Sequence, residues 1–248
     1  MITNTLWVRG TEENLRARLE VVATRFTRPT VAGLSVCAVL LIVVGGYIFY
    51  NTNILNPYFT TYAIDEGRAQ YEKKYRQYKD LPQPKITDIN TQIDLDPANR
   101  SVNLRGTMML ENKTSSTIDR IAITVLPVDL APVPPPHREI HNLTFAGGQT
   151  SVLEDNGLGF YVYRLNLPLP PHGSVRFDYS VSYKNVGFVN NAPNLDITYN
   201  GTFLNDRYAP FIGYAADIEL TDDSTRHKHG LNKAKRMPKL EDLSLIHI

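Results

Sequence analysis

Cysteine is almost missing from this chain: Cys37 is the only one in 248 residues. One thiol cannot close an intramolecular disulfide, so the fold must rest on its apolar core. Larger extracytoplasmic domains and cytosolic ones both manage without bridges, so cysteine usage leaves the compartment open. A surplus of either charge is missing as well, with 26 Lys and Arg against 25 Asp and Glu. Residues 85–204 carry nine basic and eleven acidic side chains. A chain with no basic face is not built for nucleic acid. Chemical motifs are equally scarce. There is no Gly-rich phosphate loop, no nucleophile elbow and no H-E-x-x-H, so no catalytic, cofactor-binding or metal residue is assigned.

Polar residues vanish over one stretch. Val31 to Tyr50 reads VAGLSVCAVLLIVVGGYIFY, twenty residues without a charge. As a helix this run spans roughly 30 Å, enough to cross the hydrocarbon of a bilayer. Pro29 suits its first turn, and Tyr47, Phe49 and Tyr50 suit an interfacial belt. A cleaved signal peptide would need a shorter apolar core and a small-residue cleavage site, where bulky Tyr47-Ile48-Phe49-Tyr50 stands instead. Arg16, Arg18, Arg25 and Arg28 precede the run, whereas residues 51–64 contain no Lys or Arg. The positive-inside rule therefore puts residues 1–30 in the cytoplasm and residues 51–248 outside, with the lipid bilayer contacting residues 31–50. Leu15, Leu19, Val22 and Phe26 recur at helical spacing, which suits either an amphipathic segment on the inner surface or a solvated helical stub.

Beyond the membrane run, TYAIDEGRAQYEKKYRQYKDL predicts a short helix with Tyr71, Tyr75 and Tyr78 on a stripe that packs against neighbouring structure. Leu81-Pro82-Gln83-Pro84 ends it as a stiff linker, completing a juxtamembrane segment over 51–84. From Lys85 the apolar period becomes two. Ile89, Thr91, Ile93 and Leu95 alternate with polar neighbours, Asp96–Arg100 reads as a turn, and Val102–Leu110 alternates again. Further strands are predicted at Ile118–Leu126, Ile140–Phe145, Gly159–Leu165, Ser174–Tyr183 and Leu195–Leu204, separated by turn chemistry such as Gly147-Gly148, Asn156-Gly157 and Asn190-Asn191. The fold class is mainly β: one N-terminal transmembrane helix, then an antiparallel β-sandwich over 85–204 able to fold by itself. Residues 205–248 show few core candidates and read as an irregular connection.

The histidines do not make a metal site. His137 and His141 in HREIH have the i, i+4 spacing of a zinc pair, but Arg138 stands where the Glu would follow, and three prolines precede. They read as surface-loop residues, and His227-Lys228-His229 reads as a basic loop. Asn112-Lys113-Thr114, Asn142-Leu143-Thr144 and Asn200-Gly201-Thr202 match a glycosylation acceptor, a pattern of low specificity.

The order of segments resembles a known junction. An apolar helix, FYNTNILNPY, a Tyr/Lys/Glu helix, LPQPKI and then strands is similar to large bacterial membrane proteins. In those, an ABC-transporter-like permease is fused to an extracytoplasmic aminopeptidase of the aminopeptidase N type, a zinc gluzincin. NGTFLNDRYAPFIGY, IELTDDSTRHKHGL and RMPKLED look like the end of that family's N-terminal β domain, and the resemblance runs from Trp7 to Asp242. It implies a saddle-like β domain that covers one side of a catalytic cleft without doing the chemistry. It also implies a fragment whose partners are the missing permease and catalytic portions, with zinc held by the latter. The family's G-x-M-E-N and H-E-x-x-H motifs do not occur here, and residues 243–248 do not continue its pattern. A complete bitopic envelope protein whose sandwich binds a partner, or a structural subunit of a transporter, are the competing readings.

Overall fold

Pro29 in a first turn and the uncharged run behind it form α1 (Arg28–Phe49), continued by a π turn over Tyr50–Ile54. These come from a computed structural model that describes residues 27–55, 59–125, 138–188, 197–199, 201–204 and 206–234. The amphipathic segment expected within residues 6–26 lies outside them. α1 buries none of its residues in protein, and with the π turn it is long and apolar enough to cross a membrane. The chain divides at Leu55 into this helical unit and a β unit.

In the β unit, Thr60 caps α2 (Thr61–Tyr75) by accepting the Ala63 N–H at 3.2 Å. A single 3₁₀ turn follows at Arg76–Tyr78. The strands are β1 (Lys85–Asp96), β2 (Ser101–Glu111), β3 (Ile118–Thr124), β4 (Arg138–Phe145), β5 (Gln149–Asp155), β6 (Phe160–Leu169) and β7 (Ser174–Lys184). Two short pairs follow, β8 (Ile197–Thr198) with β9 (Gly201–Thr202), and β10 (Phe211–Ile212) against β3, before α3 (Asp223–Lys228). One sheet runs β1-β2-β7-β4 and the other β10-β3-β6-β5, antiparallel throughout. The mainly β sandwich expected from the sequence is the fold observed.

Alternation explains how the sheets meet. Val102, Leu104, Met108 and Leu110 of β2 and Phe177, Tyr179, Val181 and Tyr183 of β7 point inward. They share one core cluster with Ile121 and Ile123 of β3 and Tyr161, Tyr163 and Leu165 of β6. Gly106 makes room in this layer. A Cβ there would sit 2.5 Å from the Tyr179 hydroxyl, which crosses the glycine to reach Thr91 Oγ1 at 2.6 Å.

The second sheet is buried on its outer face too. Ala122, Phe160, Val162 and Leu158 pack there against Tyr71, Tyr75, Tyr214, Ala215 and Ile218. The Tyr75 ring stacks on Phe160 with centroids 4.4 Å apart, and Tyr71 stacks on Tyr214 at 5.1 Å. The tyrosine stripe of α2 is therefore core, as its spacing predicts. Because the Thr124 hydroxyl donates to Gly213 O at 2.8 Å, Tyr71 Oη donates to Thr124 Oγ1 at 3.0 Å and accepts the Ala215 N–H at 3.1 Å.

Several elements differ from the sequence expectation. β5 has no predicted counterpart because it is an edge strand, mostly exposed, and shows no apolar alternation. Leu195–Leu204 is not one sandwich strand. Its described part is a two-residue ladder, and residues 195, 196 and 200 lie outside the description. Leu126 and the Asn190-Asn191 turn lie outside it as well. Residues 206–232 are richer in core than their sequence suggests, with Tyr208, Ile212, Tyr214, Ala215, Ile218 and Leu220 all buried. On β1, by contrast, the alternating Ile89 and Ile93 stay 53% and 51% exposed.

The double-sided burial generates a prediction. A piece covering residues 59–234 should melt cooperatively, whereas residues 85–204 alone should bare Phe160 and Val162 and bind a hydrophobic dye such as ANS. In the longer piece Tyr71→Phe should cost about 1–3 kcal/mol in urea unfolding, since it strands the buried Ala215 amide. A cooperative, dye-silent melt of 85–204 would contradict this account.

Candidate functional site

The most buried cluster of charged residues that the fold brings together lies where α2 meets α3. α3 starts from Asp222, whose carboxylate accepts the Thr225 N–H and hydroxyl, each at 2.8 Å. It ends at Gly230, which takes φ +69 while the Leu231 N–H returns to Arg226 O at 2.9 Å. This short helix holds Arg226 against α2. Arg226 and Glu72 side chains are each only 1% exposed and form a bidentate pair with N–O distances of 2.7 and 2.8 Å. Arg226 also donates to Leu220 O and Asn232 O, both at 2.6 Å, and Arg76 donates to the same Glu72 carboxylate. Burial would raise the Glu72 carboxyl, but Arg226 and Arg76 overcome it and hold it below the ordinary carboxylate range. The Glu72 hydrogen bonds in turn raise the Arg226 guanidinium.

A second pair lies nearly two turns earlier on α2. His229 Nδ1–H donates to Glu66 Oε2 at 2.6 Å, Lys73 donates to His229 O, and the Tyr62 ring lies 4.7 Å from the imidazole. The His229 hydrogen bond, then that from Gln70, lowers the Glu66 carboxyl. Beside these pairs is a recess of about 230 Å³ lined by Glu72, Lys73, Arg76, Arg226, Gly230, Leu231 and Asn232. Its charged side chains are engaged, Glu72 with Arg226 and Arg76 and Lys73 with the His229 carbonyl, and the cluster acts as a clasp that ties residues 222–232 to α2. Nothing in its geometry sets a nucleophile beside a base.

The remaining histidines are dispersed. His141 sits on strand β4 rather than in a loop, with Nε2 2.8 Å from Ser182 Oγ. Its sequence partner His137 lies outside the described residues, as does His247. His172 occupies a turn at φ 60, and His227 lies in α3 rather than a basic loop. Among the described residues, no group of three or more His, Cys, Asp or Glu side chains could hold a metal ion. Sequence reasoning missed both ion pairs. The legible signals were the Asp222 cap and Gly230 bracketing a helix, but the pairs join residues 154 and 163 positions apart.

No protein-family model matches this chain and no curated protein matches it. Among solved structures, it is similar to an M1 zinc metallopeptidase from Deinococcus radiodurans, at 12% identity and a TM-score of 0.31, covering 41% of this chain and 20% of that one. A mutant of an M1 zinc metallopeptidase from the same organism, bound to a Tyr-Ser-Ala substrate, gives the same identity and score, covering 41% and 21%. A two-domain M1 zinc metallopeptidase mutant bound to L-arginine matches at 11% identity and 0.31, covering 45% and 22%. The chain thus spans about a fifth of the length of these structures.

Removing one member of the clasp should cost more than removing both. Arg226→Met strips the buried Glu72 carboxylate of its two-point partner, leaving it the half-exposed Arg76, and should destabilise by up to about 3–5 kcal/mol, while the Glu72→Met, Arg226→Met double change recovers part of that loss. The carboxyls of Glu66 and Glu72 are both lowered from an ordinary value of 4.5. Their contribution is therefore complete above that pH and lost as pH falls through the lower folded values. Urea midpoints between pH 3 and 7 should decline at the acid end, and Glu72→Gln should flatten the decline.

Proposed function

We propose that this chain is the membrane-anchored, non-catalytic β portion of an aminopeptidase-type zinc metallopeptidase fused to a transporter permease. The reading is carried by segment order. A helix long and apolar enough to span a bilayer precedes a short Tyr-rich helix, a Pro-containing link and an antiparallel sandwich. That is the order in which the sequence resembles the permease–peptidase junction. The absence of H-E-x-x-H and G-x-M-E-N from the sequence supports a supporting rather than chemical role for these residues. Zinc chemistry would then belong to a portion of the parent protein beyond this chain. The mainly β architecture suits a domain that walls one side of a cleft, with the anchor holding that cleft outside the cytoplasmic membrane.

Topology and chemistry are tested separately. A reporter active only outside the cytoplasm, fused after Leu81, should be active. A cytoplasmic reporter active at that point would reverse the orientation. The untagged chain should carry substoichiometric zinc and release no product from aminoacyl reporter substrates, because a catalytic zinc needs three fixed ligands and an adjacent base. Stoichiometric zinc and activity, both lost on His137→Ala with His141→Ala, would sink the non-catalytic reading. In the genome, an open frame continuing into H-E-x-x-H supports the fusion, whereas a stop codon at this point supports a complete bitopic protein.

A further inference from the structure

β1 combines two features that soluble sheets normally avoid. It is an edge strand of twelve residues, with β2 on one side and no strand on the other among the described residues. Its inward row is also uncovered. Cross-strand pairing puts Ile86, Ile89, Ile93 and Leu95 opposite Leu110, Met108, Leu104 and Val102, so they share the core-facing side of the sheet. The β2 residues are at most 3% exposed, whereas those four β1 side chains are 37–53% exposed. The inner row of β1 therefore stands uncovered beside the core.

Edges are usually blunted by proline, inward charge or a bulge. Here Pro84 and a register shift between Ile86 and Asp88 disturb only the start of the strand. Residues 89–95 carry neither, and the Thr91–Tyr179 hydrogen bond pins their middle to β7. The surface is thus preformed and costs little ordering to use.

Charge selects the occupant. The opposite row of β1 contains Lys85, Asp88, Asn90, Gln92, Asp94 and Asp96, with Arg105 across from Gln92 and Glu111 across from Lys85. Pairing two copies of β1 antiparallel about Thr91 or Gln92 would set Asp88 against Asp94 or Asp96, and like charges directly opposite are destabilising. A strand with basic side chains in that row meets no such penalty. We propose that the free edge and inner face of β1 dock an extended segment of another polypeptide that alternates apolar with Lys or Arg side chains, by strand addition. This surface goes beyond the metallopeptidase reading and does not depend on it.

The test uses the full chain in zwitterionic lipid nanodiscs, with empty nanodiscs as the baseline. Three fluorescent octapeptides serve as probes: alternating Lys/Val, alternating Glu/Val, and four Lys followed by four Val. Anisotropy should show the alternating Lys/Val peptide binding about tenfold or more tightly than the other two. I89K with I93K, at exposed positions, should weaken that binding about tenfold or more. D88K with D94K should reverse the preference toward Glu/Val, which mere loss of folding would not produce. Equal binding of all three peptides, or binding indifferent to I89K with I93K, would overturn the proposal. So would self-association of the wild-type chain abolished by I89K with I93K, which would assign the edge to a second copy.

Discussion

Everything in the β unit follows from one constraint: the sheet β10-β3-β6-β5 is apolar on both faces. β6 begins with Phe160, Tyr161, Val162 and Tyr163, all buried, and β3 buries Ile121 through Thr124 without a break. A strand of that kind cannot face water on either side. The first face is met by the other sheet. The second requires α2 and the stretch around Tyr214–Ile218, which come from opposite ends of the β region yet meet over Phe160 and Ala122. Tyr71 is the joint, contributing its ring to the aromatic cluster and its hydroxyl to the backbone and side-chain groups of two other segments.

Once those segments converge, α3 is brought beside α2, and its charges have to be settled. The Glu72–Arg226 pair answers that need with two-point geometry and further hydrogen bonds to backbone carbonyls. Such pairs contribute little net stability relative to apolar packing but punish any alternative placement, since a lone buried charge is costly. The clasp selects one docking of residues 222–232. The recess beside it is a by-product of that arrangement, with its charges already engaged.

The two sheets differ in how completely they are covered. The middle of the sheet that carries β3 and β6 is covered on both faces, whereas the other sheet ends at β1, whose isoleucines remain in solvent. Single exposed apolar side chains such as Leu167 and Phe203 occur elsewhere in the β unit, but β1 presents four in one row along a strand edge, and a contiguous row is surface available to another molecule. The acidic row on the reverse of the same strand adds a preference of charge to a preference of shape.

The helix that could cross a membrane, the hairpin of β1 and β2, the strands β3, β4, β6 and β7 and the tyrosine stripe of α2 were all legible in the sequence. Each depends on local periodicity or a turn, and those forces act within a few residues. β5 was not legible, because an exposed edge strand is specified by its neighbour's hydrogen bonds and carries no apolar pattern of its own. The exposure of Ile89 and Ile93 was hidden for the converse reason: alternation tells which side chains share a face, but only the position of the second sheet decides whether that face is covered. The charged cluster was the least visible. Nothing near Glu72 announces Arg226, and His229 read as a loop residue until the chain returned it to Glu66. Sequence by itself determined the elements that carry their own apolar period, and their apolar faces; tertiary structure alone decided the edge strand β5, which distant charges meet and which apolar rows stay open, because all three depend on contacts between residues far apart in the chain.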